Sequence, residues 1–268
     1  MRIDNFEPLW LDPQGRCIYA ALHTVLDRAR TGVVMVPPML HELATSRRFV
    51  AEISAVLADQ GIPSLRFDFF GTGDSCGRGD QLDFGSIATD LELAVATLCK
   101  RTGVERVVLL VWRGAALPVG RWLERGGRAD LVVLWEPITD GAAWLRELEL
   151  ADAQERATRP GPRPGARCVA ADPADGQLMG FAASSRLRME LGQSCLENHL
   201  LWGSAPVWVI GRGELAELQP GVTRVLPLPP AAPTFGGGAA MDKTFFLTPA
   251  VRKMVDQLGR SLQESTWK

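Results

Sequence analysis

The chain has 268 residues, with 29 basic and 31 acidic side chains and a formal net charge of -2. Hydrophobic residues make up 46% of the chain, a balance typical of a globular protein with a large buried core. A surface dedicated to nucleic acid is normally basic, so this charge balance argues against a nucleic-acid partner. Three histidines and five cysteines leave little material for a metal site, and we expect no cofactor.

The chain shows no sign of export or of membrane insertion. Its N-terminal stretch has no apolar segment of the kind that follows the basic start of a secretory signal. No apolar run approaches the ~18 to 20 residues that a membrane helix needs. The cysteines are odd in number, widely spaced and without a CxxC pair, which favours reduced thiols. The sequence therefore predicts a cytoplasmic protein without a membrane span.

The first half of the chain alternates strand and helix patterns. A hairpin is predicted over 5–24, with its turn at the segment DPQGR. Apolar strands follow at 32–36, 63–69, 106–112 and 129–135. Helical spacing of apolar residues is found over 46–60, 84–100 and 115–125. Strands without polar alternation, each followed by a helix, indicate a parallel sheet that is buried on both faces.

This order breaks after Pro137. Helices are predicted at 142–155 and near 184–191, with a Pro/Gly/Arg-rich stretch between them, and we interpret residues 140–203 as a lid insertion. Strand patterns resume with PVWVIG and VTRVLPL, and a closing helix over 248–262 has Thr248 as its N-cap. The predicted organisation is one core formed by residues 1–139 and 204–268, with the lid inserted between them.

Four local motifs occur in a characteristic order along this pattern. The segment PPMLHE follows the third strand, RFDFFGTGDS begins in the fourth, the fifth turns sharply through Arg113 into a helix, and WEP ends the next. This order resembles the α/β-hydrolase superfamily, and within it the bacterial hydrolase-like proteins of the serine aminopeptidase and exosortase-associated types. The resemblance implies a mostly parallel sheet with an N-terminal antiparallel hairpin, helices on both faces and a mid-chain lid.

The resemblance fails at the catalytic residues. In that superfamily the turn after the fifth strand is a nucleophile elbow, G-x-S-x-G, which presents a serine above the sheet. Here the equivalent run is 111–115, and the nucleophile position is Arg113, whose guanidinium keeps its proton and cannot attack a carbonyl. The late loop that supplies the histidine in this fold, 236–244, contains none. The resemblance therefore implies a degenerate triad without ordinary triad hydrolysis.

A literal G-x-S-x-G does occur at 73–77 and contains Ser75 and Cys76. It lies in the long loop after the fourth strand and not at a strand-to-helix elbow. We interpret it as a glycine-rich turn whose side chains bond nearby backbone. A displaced nucleophile at Ser75 or Cys76 remains the alternative.

Two interpretations of Arg113 stay open. A side chain at a helix N-terminus on the carboxyl edge of a parallel sheet is well placed for an anion, and arginine matches a carboxylate or phosphate. Arg113 would then anchor a ligand. Alternatively, it pairs inward with Glu136 or Asp68 and plugs the pocket, since an unpaired buried charge is costly.

The remaining candidates follow from their predicted positions around the pocket. For acid/base chemistry these are His41, Glu136, Asp242 and Lys243. For ligand contact they are Met39, Leu40, Trp112, Gly114 and Trp135. Core packing is the alternative for both tryptophans.

Three hypotheses about function result. The first is an atypical epimerase-, isomerase- or lyase-like enzyme, or a weak hydrolase, that acts without a nucleophile on a carboxylate-bearing small molecule or peptide. The second is a non-catalytic binding or assembly protein, and the third is a hydrolase that uses Ser75 or Cys76. The expected partner is a small molecule or peptide, anionic under the first hypothesis, and a homodimer is left open.

Overall fold

A computed structural model of the chain describes residues 6–158, 176–196, 205–212, 221–235, 244–264 and 266–267. The strands are β1 (Glu7–Leu11), β2 (Ile18–His23), β3 (Thr31–Val36), β4 (Ser64–Phe67), β5 (Arg106–Trp112), β6 (Leu131–Trp135), β7 (Gln177–Leu178), β8 (Phe181–Ala182), β9 (Val207–Gly211) and β10 (Val222–Pro227). The α-helices are α1 (His41–Asp59), α2 (Phe84–Thr102), α3 (Ala116–Glu124), α4 (Gly141–Thr158), α5 (Ser185–Gly192) and α6 (Pro249–Leu262).

Eight of the described strands form one sheet in the order β1-β2-β4-β3-β5-β6-β9-β10. The pairs β1–β2 and β2–β4 are antiparallel, and the pairs from β4 to β10 are parallel. This confirms the predicted hairpin and the predicted parallel sheet. Because the carboxyl ends of β3, β5 and β6 lie side by side, the loops that leave these three strands meet at one edge.

Both faces of the sheet are buried, as the continuous apolar strands require. Along β5, Leu109 and Val111 face a cluster that includes side chains of α2 and α3. Leu110 and Trp112 face the opposite cluster, which includes side chains of α1 and α6. Thr248 caps α6 as predicted, since its hydroxyl accepts a hydrogen bond from the backbone N–H of Val251 at 3.4 Å.

Helix α1 begins five residues earlier than predicted, at His41 instead of residue 46. Its N-cap residue is Leu40, which has a φ of 55° and makes no capping hydrogen bond with its side chain. Sequence reasoning looks for a Ser, Thr, Asp or Asn at a helix start, and this start has none. His41 and Glu42 therefore lie in the first turn of a helix at the carboxyl edge of the sheet.

The described part of the predicted lid consists of α4, the short antiparallel pair β7–β8, and α5. The two strands span two residues each and were not predicted, since so short a pair leaves no periodic pattern. Trp144, Leu148 and Leu187 are buried in the cluster that also holds α2 and α3. The inserted helices therefore pack on the core, while the predicted domain boundaries stay a prediction.

Asp90 of α2 joins the hairpin and the loop after β4. Its side chain is fully buried and accepts hydrogen bonds from Arg16 Nε and from the backbone N–H of Phe70, both at 2.8 Å. Burial raises the pKa of Asp90, against the effect of these hydrogen bonds. The loop that carries the GTGDS motif is thus held by one buried carboxylate.

We expect Asp90→Ala to lower the free energy of unfolding by about 3 kcal/mol, because it leaves the Arg16 guanidinium and a backbone N–H without their partner. Urea denaturation followed by tryptophan fluorescence measures this. The control is Glu92→Ala on the exposed face of the same helix, where a change within ~0.5 kcal/mol is expected. Equal effects of the two substitutions would contradict the role given to Asp90.

Candidate functional site

Three residues with left-handed backbone meet at the carboxyl edge of the sheet. Leu40 (φ 55°) follows β3, Arg113 (φ 53°) follows β5, and Glu136 (φ 42°) follows β6. Positive φ is unfavourable for residues other than glycine and persists only where the surrounding structure enforces it. Residues Arg113–Ala115 form a 3-10 turn that leads directly into α3. Arg113 therefore occupies a strained strand-to-helix elbow.

The guanidinium of Arg113 points inward to Glu42. Its Nε lies 3.1 Å from Glu42 Oε1, and its Nη1 donates to the carbonyl oxygen of Glu136 at 3.2 Å. The side chains of Arg113 and Glu42 are 14% and 2% exposed. Because both charged groups are shielded from water, their attraction is stronger than that of a surface pair.

The inward partners predicted for Arg113 were wrong. The carboxylate of Glu136 pairs with Arg212 at 2.9 Å, and only its backbone carbonyl accepts from Arg113. Asp68 pairs with Arg47 on the other side of the site. The carboxylate that neutralises Arg113 is Glu42.

Aromatic side chains lie on both sides of the elbow. A Cβ atom on Gly114 would come within 2.3 Å of the ring of Trp144 on α4, so this contact requires glycine. The ring centroid of Phe235 lies 5.7 Å from the Arg113 guanidinium carbon, within the range of a cation–π contact. The helix α4 of the insertion thus packs directly on the elbow.

Burial favours the neutral forms of the two residues that open α1. His41 is 3% exposed, and burial lowers its pKa, with the positive charge of Arg113 as the second cause. The pKa of Glu42 is raised, because burial outweighs the attraction of Arg113. No described residue hydrogen-bonds His41 Nδ1 or Glu42 Oε2. Burial and the positive charge of Arg113 thus both disfavour the protonated form of His41.

Two neighbouring cavities lie at the N-terminal part of α1 and share Pro38 and Leu43. The smaller, of about 130 Å³, is mostly apolar, and Met39 and Leu40 line it. The larger, of about 250 Å³, lies between α1 and the end of β4. Arg113 is not among the lining residues of either cavity.

The other predicted ligand contacts lie elsewhere. Trp112 and Trp135 are 0% and 1% exposed and stack on each other with ring centroids 5.9 Å apart. They lie in the core cluster between the sheet and α1 and α6, which corresponds to the packing alternative. Gly114 faces Trp144. Asp242 and Lys243 lie outside the described residues.

The literal G-x-S-x-G segment forms a turn with satisfied hydrogen bonds. Ser75 Oγ donates to the carbonyl oxygen of Asp68 at 2.7 Å and accepts from the backbone N–H of Tyr19 at 2.9 Å. Cys76 is exposed and reduced, and its backbone N–H donates to the carbonyl oxygen of Cys17. Ser75 thus links this loop to β2, as the turn interpretation predicts.

Within the described ranges, His, Cys, Asp and Glu side chains form no group of three or more that could hold a metal ion. None of the described helices is both long and apolar enough to cross a membrane.

No protein-family model matches the sequence, and no curated protein matches it. Solved structures do match. A hydrolase-like protein from Agrobacterium vitis, described as a putative hydrolase, has 16% identity and a TM-score of 0.58, over 97% of this chain and 98% of its own. Est1E from Butyrivibrio proteoclasticus, solved with ferulic acid, has 14% identity and a TM-score of 0.57, over 93% and 97%.

A third match is DcsB in complex with its substrate analogue, with 13% identity and a TM-score of 0.61, over 97% of this chain and 100% of its own. Identities this low establish architecture and not activity. Together with the sheet order and the hairpin, these matches show that the chain has the α/β-hydrolase fold. The predicted fold class is confirmed.

Sequence reasoning missed Glu42 and Arg212, which neutralise the two predicted charges at the edge. Glu42 stands in the motif that follows β3, so its proximity to the elbow could have been noticed. Its pairing with Arg113 spans 71 positions in sequence and depends on the early start of α1. Nothing local indicates the pairing of Arg212 with Glu136.

We expect Arg113→Met to lower the free energy of unfolding by about 3 kcal/mol, since it leaves the Glu42 carboxylate buried without its cation. The double variant Arg113→Met/Glu42→Met should recover most of this loss, because it removes both charges. Denaturant titration measures both, with the exposed Arg125→Met as the control for charge loss. A double variant no more stable than the single one would contradict the pairing.

The lowered pKa of His41 predicts a pH dependence of stability. Below its ordinary pKa of 6.5, the unfolded chain binds a proton that native His41 does not. The contribution of His41 to the free energy of unfolding therefore falls as the pH drops through 6.5. The raised pKa of Glu42 acts in the opposite direction, because the native state holds that proton more firmly.

The difference between wild type and His41→Asn isolates the histidine contribution. Thermal unfolding between about pH 5 and pH 8 should show that the variant loses less stability than the wild type on acidification. Parallel pH profiles would show that His41 titrates normally in the native state.

Proposed function

We propose that this chain is a small-molecule-binding protein built on the α/β-hydrolase fold, without nucleophilic hydrolysis. The observation that carries the proposal is the buried pair of Arg113 and Glu42 at the elbow. A hydrolase of this fold presents a nucleophile at that turn. An arginine there keeps its proton and its positive charge, so it cannot form an acyl intermediate.

The packing around the elbow supports the same proposal. Trp144 lies against Gly114, and the guanidinium of Arg113 is held by two acceptors and lies near Phe235. An acyl-transfer site instead needs room for a tetrahedral intermediate close to the nucleophile and to free backbone donors. The Arg113–Glu42 pair therefore fills the space at the elbow, and the Arg113 guanidinium is not available to bind an anion.

The cavity lined by Met39 and Leu40 is the proposed place for an apolar part of the ligand. Its walls include Phe69, Leu82 and Phe181, and its volume of about 130 Å³ suits a small group. Two proteins of similar structure were solved with a small molecule, ferulic acid in Est1E and a substrate analogue in DcsB. By analogy, we propose a small organic ligand, carboxylate-bearing as the first hypothesis expects.

Covalent labelling of serine and measurement of ester hydrolysis together test the absence of a nucleophile. A fluorophosphonate probe should label no serine of the native protein, and p-nitrophenyl acetate and p-nitrophenyl octanoate should hydrolyse at the uncatalysed rate. Ser75→Ala and Cys76→Ser should behave like the wild type. A labelled Ser75 peptide, or an esterase rate that either substitution abolishes, would overturn the proposal in favour of the displaced nucleophile.

A second candidate function is acid/base catalysis at His41. The observation in its favour is the buried imidazole of His41, whose Nδ1 bonds to none of the described residues and whose pKa is lowered by burial. Such a group can accept a proton, and Asp242 and Lys243 remain further candidates for the second proton transfer. Glu136 is less suited, because its carboxylate is paired with Arg212.

Proton exchange separates this second function from simple binding. Carboxylates that stabilise the protein thermally are incubated with it in D2O, and deuterium incorporation next to the carboxylate is followed by NMR. An enzyme of this type incorporates deuterium and loses that activity in His41→Asn. A binding protein retains the thermal stabilisation and incorporates none.

A further inference from the structure

The larger of the two cavities is lined by a half-buried cation, Arg66, that the elbow chemistry does not use. The cavity, of about 250 Å³, lies between α1 and the end of β4. Arg47, Arg48 and Arg66 line it, together with Asp68 and Asp74. Arg47 and Arg48 form ion pairs with carboxylates of the protein, whereas Arg66 does not among the described residues.

Arg47 and Arg48 are neutralised within the protein. Arg47 forms ion pairs with both Asp68 and Asp74. Arg48 pairs with Glu52 at 3.0 Å, and the centroid of the Phe246 ring lies 4.7 Å from its guanidinium carbon. Neither guanidinium is left without a carboxylate.

Arg66 differs from both. Among the described residues no carboxylate forms an ion pair with it, and its Nε is buried without a hydrogen-bond partner. The nearby Asp68 accepts from Arg47 and from the backbone N–H of Asp74 instead. The described contact of the Arg66 guanidinium is with the ring of Phe6, at 4.8 Å from the centroid.

Burial lowers the pKa of Arg66, which reflects the cost of keeping this charge away from water. A half-buried guanidinium has lost part of its hydration, so a carboxylate or phosphate partner would stabilise it. An anion entering the cavity would provide that partner. One unpaired cation matches a monoanion better than a dianion.

The rest of the cavity suits an organic molecule. Met35, Pro37, Val50 and Phe67 contribute apolar surface, and Tyr19 adds an aromatic ring with a polar end. From these observations we infer that the cavity between α1 and β4 is a binding site for a small organic carboxylate, with Arg66 as the residue that binds its carboxylate. The site is separate from the elbow and does not depend on whether the elbow is catalytic.

Calorimetric titration of the full chain tests the inference. The probes are benzoate and octanoate, their neutral amides, and inorganic phosphate. The carboxylates should bind about 10-fold or more tightly than the amides of the same shape, since only the charged group gains a charge-assisted hydrogen bond. Equal affinity for acid and amide, no binding by either carboxylate, or tighter binding of phosphate would each overturn it.

Substitution then assigns the residue. Arg66→Gln should weaken benzoate binding by about 10- to 100-fold, and Arg66→Lys should restore part of it, because lysine keeps the charge without the planar fork. The control is Arg30→Gln, which removes an exposed positive charge and should leave the affinity unchanged. Unchanged affinity in Arg66→Gln would overturn the assignment.

A measurement on the wild-type protein covers the case in which Arg66→Gln fails to fold. Phenylglyoxal modifies accessible arginines, and mass spectrometry gives the rate at each one. Benzoate should slow modification of Arg66 and leave that of Arg30 unchanged. Equal rates at Arg66 with and without benzoate would contradict the site. Because these readouts involve no ester hydrolysis, they are independent of the test of the elbow.

Discussion

The architecture of the functional edge depends on the buried ion pair between Arg113 and Glu42. A guanidinium that is 14% exposed needs a compensating charge, and the carboxylate that supplies it is 2% exposed. Leu40, two residues before Glu42, and Arg113 both have positive φ angles, of 55° and 53°. Each such residue costs about 1–3 kcal/mol, so the surrounding packing must offset this strain.

That packing comes from elements far apart in sequence. Helix α4 of the insertion brings Trp144 against Gly114, and the strand after the insertion brings Arg212 to Glu136. Arg113 and Glu136 are thereby each paired with an opposite charge from another element. The result is an α/β-hydrolase fold with two cavities among the described residues near β4 and α1, and Arg113 lines neither of them.

Arg113 and Arg66 differ in the partners that the described residues give them. Arg113 contacts an internal carboxylate, that of Glu42, and an internal carbonyl oxygen, that of Glu136. Arg66 lies on β4, which β3 separates from β5, and among the described residues it contacts an aromatic ring but forms no ion pair with a carboxylate. An internal partner for Arg113 and the lack of an ion-pair partner for Arg66 among the described residues are the reason that we propose Arg66 as the anion-binding residue.

The sequence alone determined the fold class, because continuous apolar strands, helical spacing and the cap at Thr248 are local signals. It also placed Arg113 at the elbow, since the strand before it and the helix after it are both evident. Only the tertiary structure decided that Glu42 neutralises Arg113, that Trp112 and Trp135 belong to the core, and that Arg66 lines a cavity. Pairing across 71 positions depends on where helices begin and how sheet edges meet, and no local pattern carries that information.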